Sequence, residues 1–151
     1  MKNHPFKQAF TILFIIGLSI NVSAGTKTWT GNISTDWETA GNWTPSAPGS
    51  GDDVIIPTSP IGGRMPTISA DYTVKSIMIQ AGATLTHNGG VLSSDGGDLD
   101  ISGTYIISSG TFLSKNTLIV RNGGLVTQSG GTIHMAITIG TNVSVRLTHL
   151  S

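Results

Sequence analysis

Three aspartates stand within residues 95–100, whose order is Asp-Gly-Gly-Asp-Leu-Asp, and carboxylates this close can bind a metal ion. Ca²⁺ prefers oxygen ligands, and a Gly-Gly bend could bring several of them together. The spacing differs from the EF-hand loop and from the Gly-Gly-x-Gly-x-Asp calcium repeat. Alternation with Leu99 and Ile101 indicates instead a solvated outer face. Asp95, Asp98 and Asp100 are thus candidate calcium ligands, and we expect no other cofactor.

All three tryptophans of the chain, Trp29, Trp37 and Trp43, fall within fifteen residues. Aromatic faces stack on the C–H faces of sugar rings, so these residues are candidates for binding a carbohydrate ligand. Large indoles are equally suited to sealing the end of an apolar core. An exposed ring would favour binding, and buried rings would favour capping.

Catalysis on a polysaccharide would need carboxylates and a basic residue within hydrogen-bond reach of one substrate. Asp98 and Asp100 precede Arg121 by one sequence repeat, but Arg121 aligns with Ser102 rather than beside the two acids. The sequence contains no second cluster of this kind. We therefore predict that the protein is not an enzyme, with a polysaccharide lyase or hydrolase as the alternative.

The remaining polar candidates have simpler interpretations. His87, His134 and His149 are far apart and form no His-x-His or His-x-x-Glu pair, so we predict that they lie on the surface or in turns. Asp52 and Asp53 are predicted to cap a turn before a strand, because Asp side chains accept hydrogen bonds from nearby backbone N–H groups.

The elements that position these residues are short β-rich runs that repeat about every twenty residues. No segment after residue 24 has the apolar spacing of an amphipathic helix. A first series, spaced by 22, 19 and 19 residues, is Ile77-Met78-Ile79, Leu99-Asp100-Ile101, Leu118-Ile119-Val120 and Ile137-Thr138-Ile139. A second series is Ala83-Thr84-Leu85, Thr104-Tyr105-Ile106, Gly124-Leu125-Val126 and Val143-Ser144-Val145. A third is Gly90-Val91-Leu92, Gly110-Thr111-Phe112-Leu113 and Gly131-Thr132-Ile133.

Three short strands and three turns in about twenty residues describe one rung of a parallel β-helix, in which each strand pairs with its equivalent one rung later. The predicted fold is all-β: a single-stranded, right-handed parallel β-helix with an N-terminal Trp-rich cap. Glycine makes the turns, and inward side chains stack in columns such as Val91, Phe112 and Ile133. An earlier rung is indicated at residues 54–56.

Outward positions of the rungs are predicted to carry Thr, Ser and Asn rather than charge, in agreement with a charged fraction of only 11%. Eight basic residues balance eight acidic ones, so the net charge gives no attraction to nucleic acid. The chain has no cysteine, which excludes disulfides and thiolate zinc sites. A Thr-x-Thr unit at residues 84–86 has the form that orders water on flat solenoid faces, but it does not recur at the rung spacing.

The first 24 residues have the pattern of a secretory signal peptide. Lys2 and Lys7 precede an apolar run of twelve residues, and Val-Ser-Ala at 22–24 offers small residues to a signal peptidase. The run is too short for a spanning helix, which needs about 20 apolar residues. We predict cleavage after Ala24 and a secreted or cell-surface protein without a membrane span. A Trp-rich cap at 25–53 would precede β-helix rungs at 54–151, and their strand-like end predicts a stack that is truncated from a longer chain.

Ordered motifs near the start of the mature chain carry a family resemblance. They are Thr-Trp-Thr-Gly at 28–31, Asp-Trp at 36–37, Gly-Asn-Trp at 41–43 and Gly-Asp-Asp-Val-Ile-Ile-Pro at 51–57. This order resembles the opening of secreted bacterial β-solenoid surface proteins of the adhesin-like kind, which are often exported by type IX secretion. The resemblance implies a surface or adhesive role and no catalytic residues.

The sequence therefore predicts a non-catalytic extracellular or cell-surface β-solenoid module with a structural or adhesive role. Its expected partners are carbohydrate or components of the extracellular matrix or cell surface. The alternative is a β-helix that binds or degrades carbohydrate.

Overall fold

The computed structural model describes residues 24–139 and 144–147, so the predicted signal peptide before Ala24 and His149 lie outside the described residues. The described part forms strands, turns and one short 3₁₀ helix, Ala40–Asn42. None of its helices is long and apolar enough to cross a membrane. In chain order the strands are β1 (Thr26–Trp29), β2 (Trp43–Thr44), β3 (Asp53–Ile56), β4 (Thr67–Ile68), β5 (Tyr72–Val74), β6 (Ser76–Ile79), β7 (Thr84–Ser94), β8 (Leu99–Ile101), β9 (Thr104–Val120), β10 (Leu125–Gln128), β11 (Thr132–Ile139) and β12 (Ser144–Leu147).

In the described residues the strands pair in three parallel ladders, each of which gains one strand per rung. Ladder 1 contains β1, β3, β6, β8 and the ends of β9 and β11. Ladder 2 contains β4, the starts of β7 and β9, then β10 and β12. Ladder 3 contains β5, the end of β7, the middle of β9 and the start of β11. The predicted all-β parallel β-helix is confirmed.

Ladder 1 has the register that the first sequence series predicts. Ile77 pairs with Leu99, Leu99 with Leu118, and Leu118 with Ile137. Val54 pairs with Ile77, so the earlier rung indicated at residues 54–56 is also present. Because side chains alternate across a strand, this register stacks the buried aliphatic residues of successive rungs in one inward column.

The inward column of ladder 3 differs from the predicted one at a single position, Val91. Leu92, which is fully buried, pairs with Phe112, and Phe112 pairs with Ile133. Val91 pairs with Thr111 and is only partly buried. The prediction for Val91 is wrong because the twenty-residue offset between β7 and β9, which is the same on both sides of the irregular pairing at Asn88, places Leu92 opposite Phe112. Side chains alternate along a strand, so Val91 faces outward with Thr111.

A glycine stack forms the corner between ladders 2 and 3. Gly90, Gly110 and Gly131 occupy this corner in successive rungs, and each has a positive φ angle. A Cβ atom on Gly110 would lie 2.5 Å from the carbonyl oxygen of Gly90. The corner therefore needs glycine both for its backbone conformation and for the close approach of neighbouring rungs.

The stack begins inside the segment predicted as the cap. β1 pairs in parallel with β3 and so adds a strand to ladder 1 before residue 54. β2 then pairs antiparallel with β1, placing Trp43 opposite Trp29. An unpaired edge strand would leave its N–H and C=O groups open to other chains. β2 covers this edge, and the tryptophans cover the end of the core.

Candidate functional site

The three tryptophans are buried together at the N-terminal end of the core. Trp29, Trp37 and Trp43 are 1%, 1% and 5% exposed. The ring of Trp43 meets the rings of Trp29 and Trp37 edge to face, at centroid distances of 5.0 and 4.6 Å. The Trp43 indole N–H donates to the Trp37 carbonyl at 2.7 Å. These rings present no open face to a sugar, and their burial is what the capping alternative requires.

Asn42, the residue before Trp43, organises the cap loop. It is fully buried, and its Oδ1 accepts hydrogen bonds from the N–H groups of Ile33 and Ser34 at 2.8 and 3.0 Å. Its Nδ2 donates to the Ser34 hydroxyl and to the Asp36 carbonyl, both at 3.0 Å. In the sequence, the Asn-Trp pair was part of the motif that carries the family resemblance. The physical role of Asn42 is to bind the backbone groups of this loop, which satisfies its own buried amide at the same time.

Asp95 and Asp98, two of the candidate calcium ligands, each interact with a different group in the next rung. Asp95 lies 3.4 Å from the Lys115 ammonium. Asp98 accepts a hydrogen bond from the Thr117 N–H at 3.0 Å. Among the described residues, no group of three or more His, Cys, Asp or Glu side chains is placed to hold a metal ion. The structure thus gives this acidic group separate partners rather than a common centre.

The third candidate, Asp100, forms an ion pair with Arg121. The Arg121 Nε donates to the Asp100 carboxylate at 2.6 and 2.8 Å, and a terminal guanidinium nitrogen also donates to it. The backbone of Arg121 follows Val120, which pairs with Ile101, so the alignment with Ser102 is as predicted. The expectation that Arg121 does not lie beside the acids is nevertheless wrong, because its long side chain reaches diagonally across the ladder.

His87 is buried inside the solenoid, so its predicted place on the surface or in a turn is wrong. It stands between Ile68 and Ile107 in an inward column of ladder 2. Its Nε2 lies 3.3 Å from the Gly90 carbonyl and its Nδ1 lies 2.9 Å from the Tyr105 hydroxyl. A carbonyl can only accept, so we assign the proton to Nε2, and Tyr105 donates to Nδ1. Burial lowers the pKa of His87 and raises that of Tyr105, which keeps both neutral near pH 7.

A groove on the outer side of ladder 3 brings together residues that are far apart in sequence. Its volume is about 280 Å³, and it is lined by Ser93, Asp95, Leu113, Ser114, Lys115 and His134. Leu113 is 39% exposed and offers an apolar floor, while Lys115 and the exposed His134 offer hydrogen-bond donors. The sequence did not predict this groove, because the residues that line it come together only when Ser93 pairs with Leu113 and Leu113 pairs with His134 in neighbouring strands.

The outer face of ladder 2 carries two adjacent columns of threonine and aliphatic side chains. One column is Thr84, Thr104 and Leu125, and the other is Thr67, Thr86, Ile106 and Thr127. All seven side chains are partly exposed. In the described part of the structure, the five threonine hydroxyls make no hydrogen bond to another protein group. The Thr-x-Thr unit at 84–86 therefore belongs to a larger surface, which we call the threonine face.

The comparison with protein families includes both the cap and the rungs. A family model described as Domain of unknown function (DUF8693) matches residues 28–139. The chain belongs to the DUF8693 family. This match begins within β1 and ends with β11, so it treats the cap and the rungs of the DUF8693 chain as one unit. Searches of curated proteins and of solved structures gave no match.

Proposed function

We propose that this DUF8693 chain is an exported, non-catalytic β-solenoid module with a structural or adhesive role outside the cell or at its surface. The observation that carries the proposal is the threonine face. Neighbouring strands lie about 4.8 Å apart and alternate residues about 6.7 Å apart, so its hydroxyl and methyl groups form a regular grid. Such a grid offers the same contact several times, which suits attachment to a polymer better than capture of one small molecule.

The chemistry of the threonine face indicates the kind of partner. The seven residues of the face are uncharged, and they mix hydroxyl groups with the aliphatic side chains Ile106 and Leu125. The pairing of β12 with β10 adds Ser144 to the first column and Arg146 to the second. A neutral polysaccharide presents hydroxyl groups and C–H faces in the same mixture. We therefore propose a neutral polysaccharide of the matrix or cell surface as the partner of this face.

The pairing of the acidic residues supports a non-catalytic role. Asp98 and Asp100 bind a backbone N–H and a guanidinium of the next rung, so their contacts join rungs to one another. The leader pattern of residues 1–24 supports export, and the resemblance of the Trp motifs supports a place among bacterial surface proteins, with type IX secretion as the proposed route.

The adhesive role can be tested by co-sedimentation of the purified exported protein with insoluble neutral polysaccharides. We expect Thr86→Lys and Thr104→Lys to weaken binding at least tenfold each, because a lysine disrupts the grid and brings a charge to a neutral contact. Met78→Lys is the matched control, since Met78 is exposed on the outer face of ladder 1. Binding that is absent, or that all three variants weaken equally, would refute adhesion through the threonine face.

The groove on ladder 3 favours a second candidate function, binding or cleavage of a charged carbohydrate. Leu113 could pack against a sugar ring while Lys115 pairs with a uronic acid carboxylate. A glycan array with acidic sugars, followed by Leu113→Ala and Lys115→Ala, tests this candidate, and Lys75→Ala is the control at an exposed lysine outside the groove. Loss of binding in the first two variants alone would favour the groove, and release of shortened sugars would favour an enzyme.

A further inference from the structure

Asp52 is a buried carboxylate at the point where the cap joins the rungs. It is only 2% exposed. Its Oδ2 accepts a hydrogen bond from the Gly49 N–H at 2.8 Å, as the predicted turn cap requires. Its Oδ1 accepts a hydrogen bond from the Gly25 N–H at 2.9 Å, although the two residues are 27 positions apart. Asp52 therefore ties the beginning of β1 to the turn before β3.

The charge on Asp52 is incompletely balanced by the side chains around it. The Lys27 ammonium is 3.8 Å from Oδ1, beyond hydrogen-bond distance, and it donates instead to the Ser46 hydroxyl at 3.0 Å. Burying a carboxylate costs free energy unless a cation is paired and hydrogen-bonded to it. A second cation that donates directly to Oδ1 would remove this cost.

Gly25 can supply that cation because it follows the predicted cleavage site. Its backbone is held without help from the leader, since its carbonyl accepts the Asp53 N–H at 2.9 Å and β1 pairs with β3. A cavity of about 390 Å³ is lined by Ala24, Gly49, Ser50, Gly51 and Asp52, which include the residue before Gly25 and the two residues joined by the Asp52 turn cap. An α-ammonium group at Gly25 thus has room for its additional hydrogen atoms.

We propose that the Ala24–Gly25 bond is the processing site of the exported chain and that the Gly25 α-ammonium forms an ion pair with Asp52. Water adds across the amide bond, leaving a carboxylate on Ala24 and an ammonium on Gly25, with the Gly25 nitrogen already beside Oδ1. A neutral hydrogen bond thereby becomes a charge-assisted one, which is roughly twice as strong. Removal of the leader then stabilises the cap, and the inference rests on the proposed export.

The test is made on the exported protein with its natural leader. Mass spectrometry should show an N-terminus at Gly25. NMR titration of the Gly25 amine should give a pKa about one unit or more above the ordinary value of about 7.7–8.0. Acetylation of this amine should lower the thermal midpoint. Because the ion pair raises the pKa of the amine, its extra stability should be present below about pH 8 and be lost as the pH rises through the raised pKa.

Two substitutions separate the ion pair from general effects on the cap. Asp52→Asn should return the amine pKa to its ordinary range and abolish the effect of acetylation. Asp53→Asn is the matched control, because the Asp53 carboxylate pairs with Lys75 rather than with Gly25, and it should leave the amine pKa raised. If Asp52→Asn does not fold, the amine pKa of the unsubstituted protein decides alone.

Three negative results would refute different parts of the proposal. An ordinary amine pKa in an exported chain that begins at Gly25 would refute the ion pair and leave the proposed export intact. An exported chain that begins at another residue would refute the processing site. A chain that is retained uncleaved inside the cell would refute the proposed export and, with it, the maturation step.

Discussion

The cap segment, residues 25–53, and the described rungs that follow it from residue 54 cover the same apolar core by different means. In the cap, single polar groups have several partners, as Asn42 does with four hydrogen bonds and Asp52 with two. In the rungs, the same contact recurs at each step, as in the column Val54, Ile77, Leu99 and Leu118. Removing a single hydrogen-bonded side chain should therefore destabilise the cap most, whereas removing buried apolar volume should destabilise the rungs most.

The largest expected effect tests the contribution of buried volume in the rungs. Phe112 is fully buried between Leu92 and Ile133, and its ring lies edge to face with Tyr105 at a centroid distance of 6.0 Å. We expect Phe112→Ala to lower the free energy of unfolding by about 3–5 kcal/mol, measured by urea unfolding. The adjacent Leu113→Ala is the control, because Leu113 faces outward. Equal losses in the two variants would contradict the packing that we describe for ladder 3.

The next effect tests the hydrogen-bonded centre of the cap. Asn42→Ala removes a fully buried side chain and leaves two N–H groups and a carbonyl of the cap loop without their partner, and we expect a loss of roughly 2–4 kcal/mol in the same measurement. Asn122→Ala removes an exposed asparagine from a turn between rungs and should change stability by less than about 0.5 kcal/mol. If Asn42→Ala and Asn122→Ala lower the free energy of unfolding equally, the cap does not depend on the hydrogen bonds of Asn42.

A smaller effect compares two glycines of the rungs that share a positive φ angle. Gly110 has φ of 85° and Gly123 has φ of 84°. A Cβ on Gly110 would meet the Gly90 carbonyl oxygen at 2.5 Å, whereas a Cβ on Gly123 has no neighbour within 4 Å. Gly123→Ala should therefore cost only the left-handed backbone penalty of about 1–2 kcal/mol, and Gly110→Ala should cost more. The difference in thermal midpoint between Gly110→Ala and Gly123→Ala measures the cost of placing a Cβ atom where neighbouring rungs approach closely.

The smallest expected effect concerns His87, the buried histidine of ladder 2 that is hydrogen-bonded to Tyr105. Burial lowers the pKa of His87 from its ordinary value of 6.5, so the unfolded chain takes up the proton first. The contribution of neutral His87 to the free energy of unfolding should be fully present above pH 6.5. Between pH 6.5 and the lower folded-state pKa, the free energy of unfolding should fall by at most about 1.4 kcal/mol per pH unit.

The control for this pH dependence is His87→Gln, which removes the titrating group and retains a polar side chain. Both proteins should be unfolded with urea between pH 7.5 and 5. An identical pH dependence in the two would show that other groups cause it, and that the buried histidine contributes nothing to it.

The sequence predicts the register of ladder 1 correctly because its three-residue strands alternate strictly and are spaced by one rung. A shift of one residue would turn Ile77, Leu99 and Leu118 away from the core, so burial allows only one alignment. The same logic places Leu92, not Val91, opposite Phe112, because β7 and β9 keep an offset of twenty residues on both sides of the corner at Gly90. The prediction for Val91 departed from this spacing.

The candidate sites were less predictable than the ladders. The Trp motif indicated both a cap and a sugar site, and only the burial of the three rings separates these alternatives. The groove beside Leu113 and the threonine face each join residues about twenty positions apart, so they emerge only when the rungs are stacked. Arg121 shows the same limit, because backbone alignment does not reveal the diagonal reach of a long side chain.

Period, glycine turns and a low charged fraction were sufficient to predict a parallel β-helix, since these properties act locally and repeat along the chain. The environments of His87, Asn42 and Asp52 are properties of the folded chain. Each depends on a few atoms from separate loops or rungs that meet within hydrogen-bond distance. Hydrogen bonds require this meeting to be accurate to a fraction of an ångström, whereas hydrophobic burial tolerates more variation. Tertiary contacts therefore decided where polar groups are buried and paired.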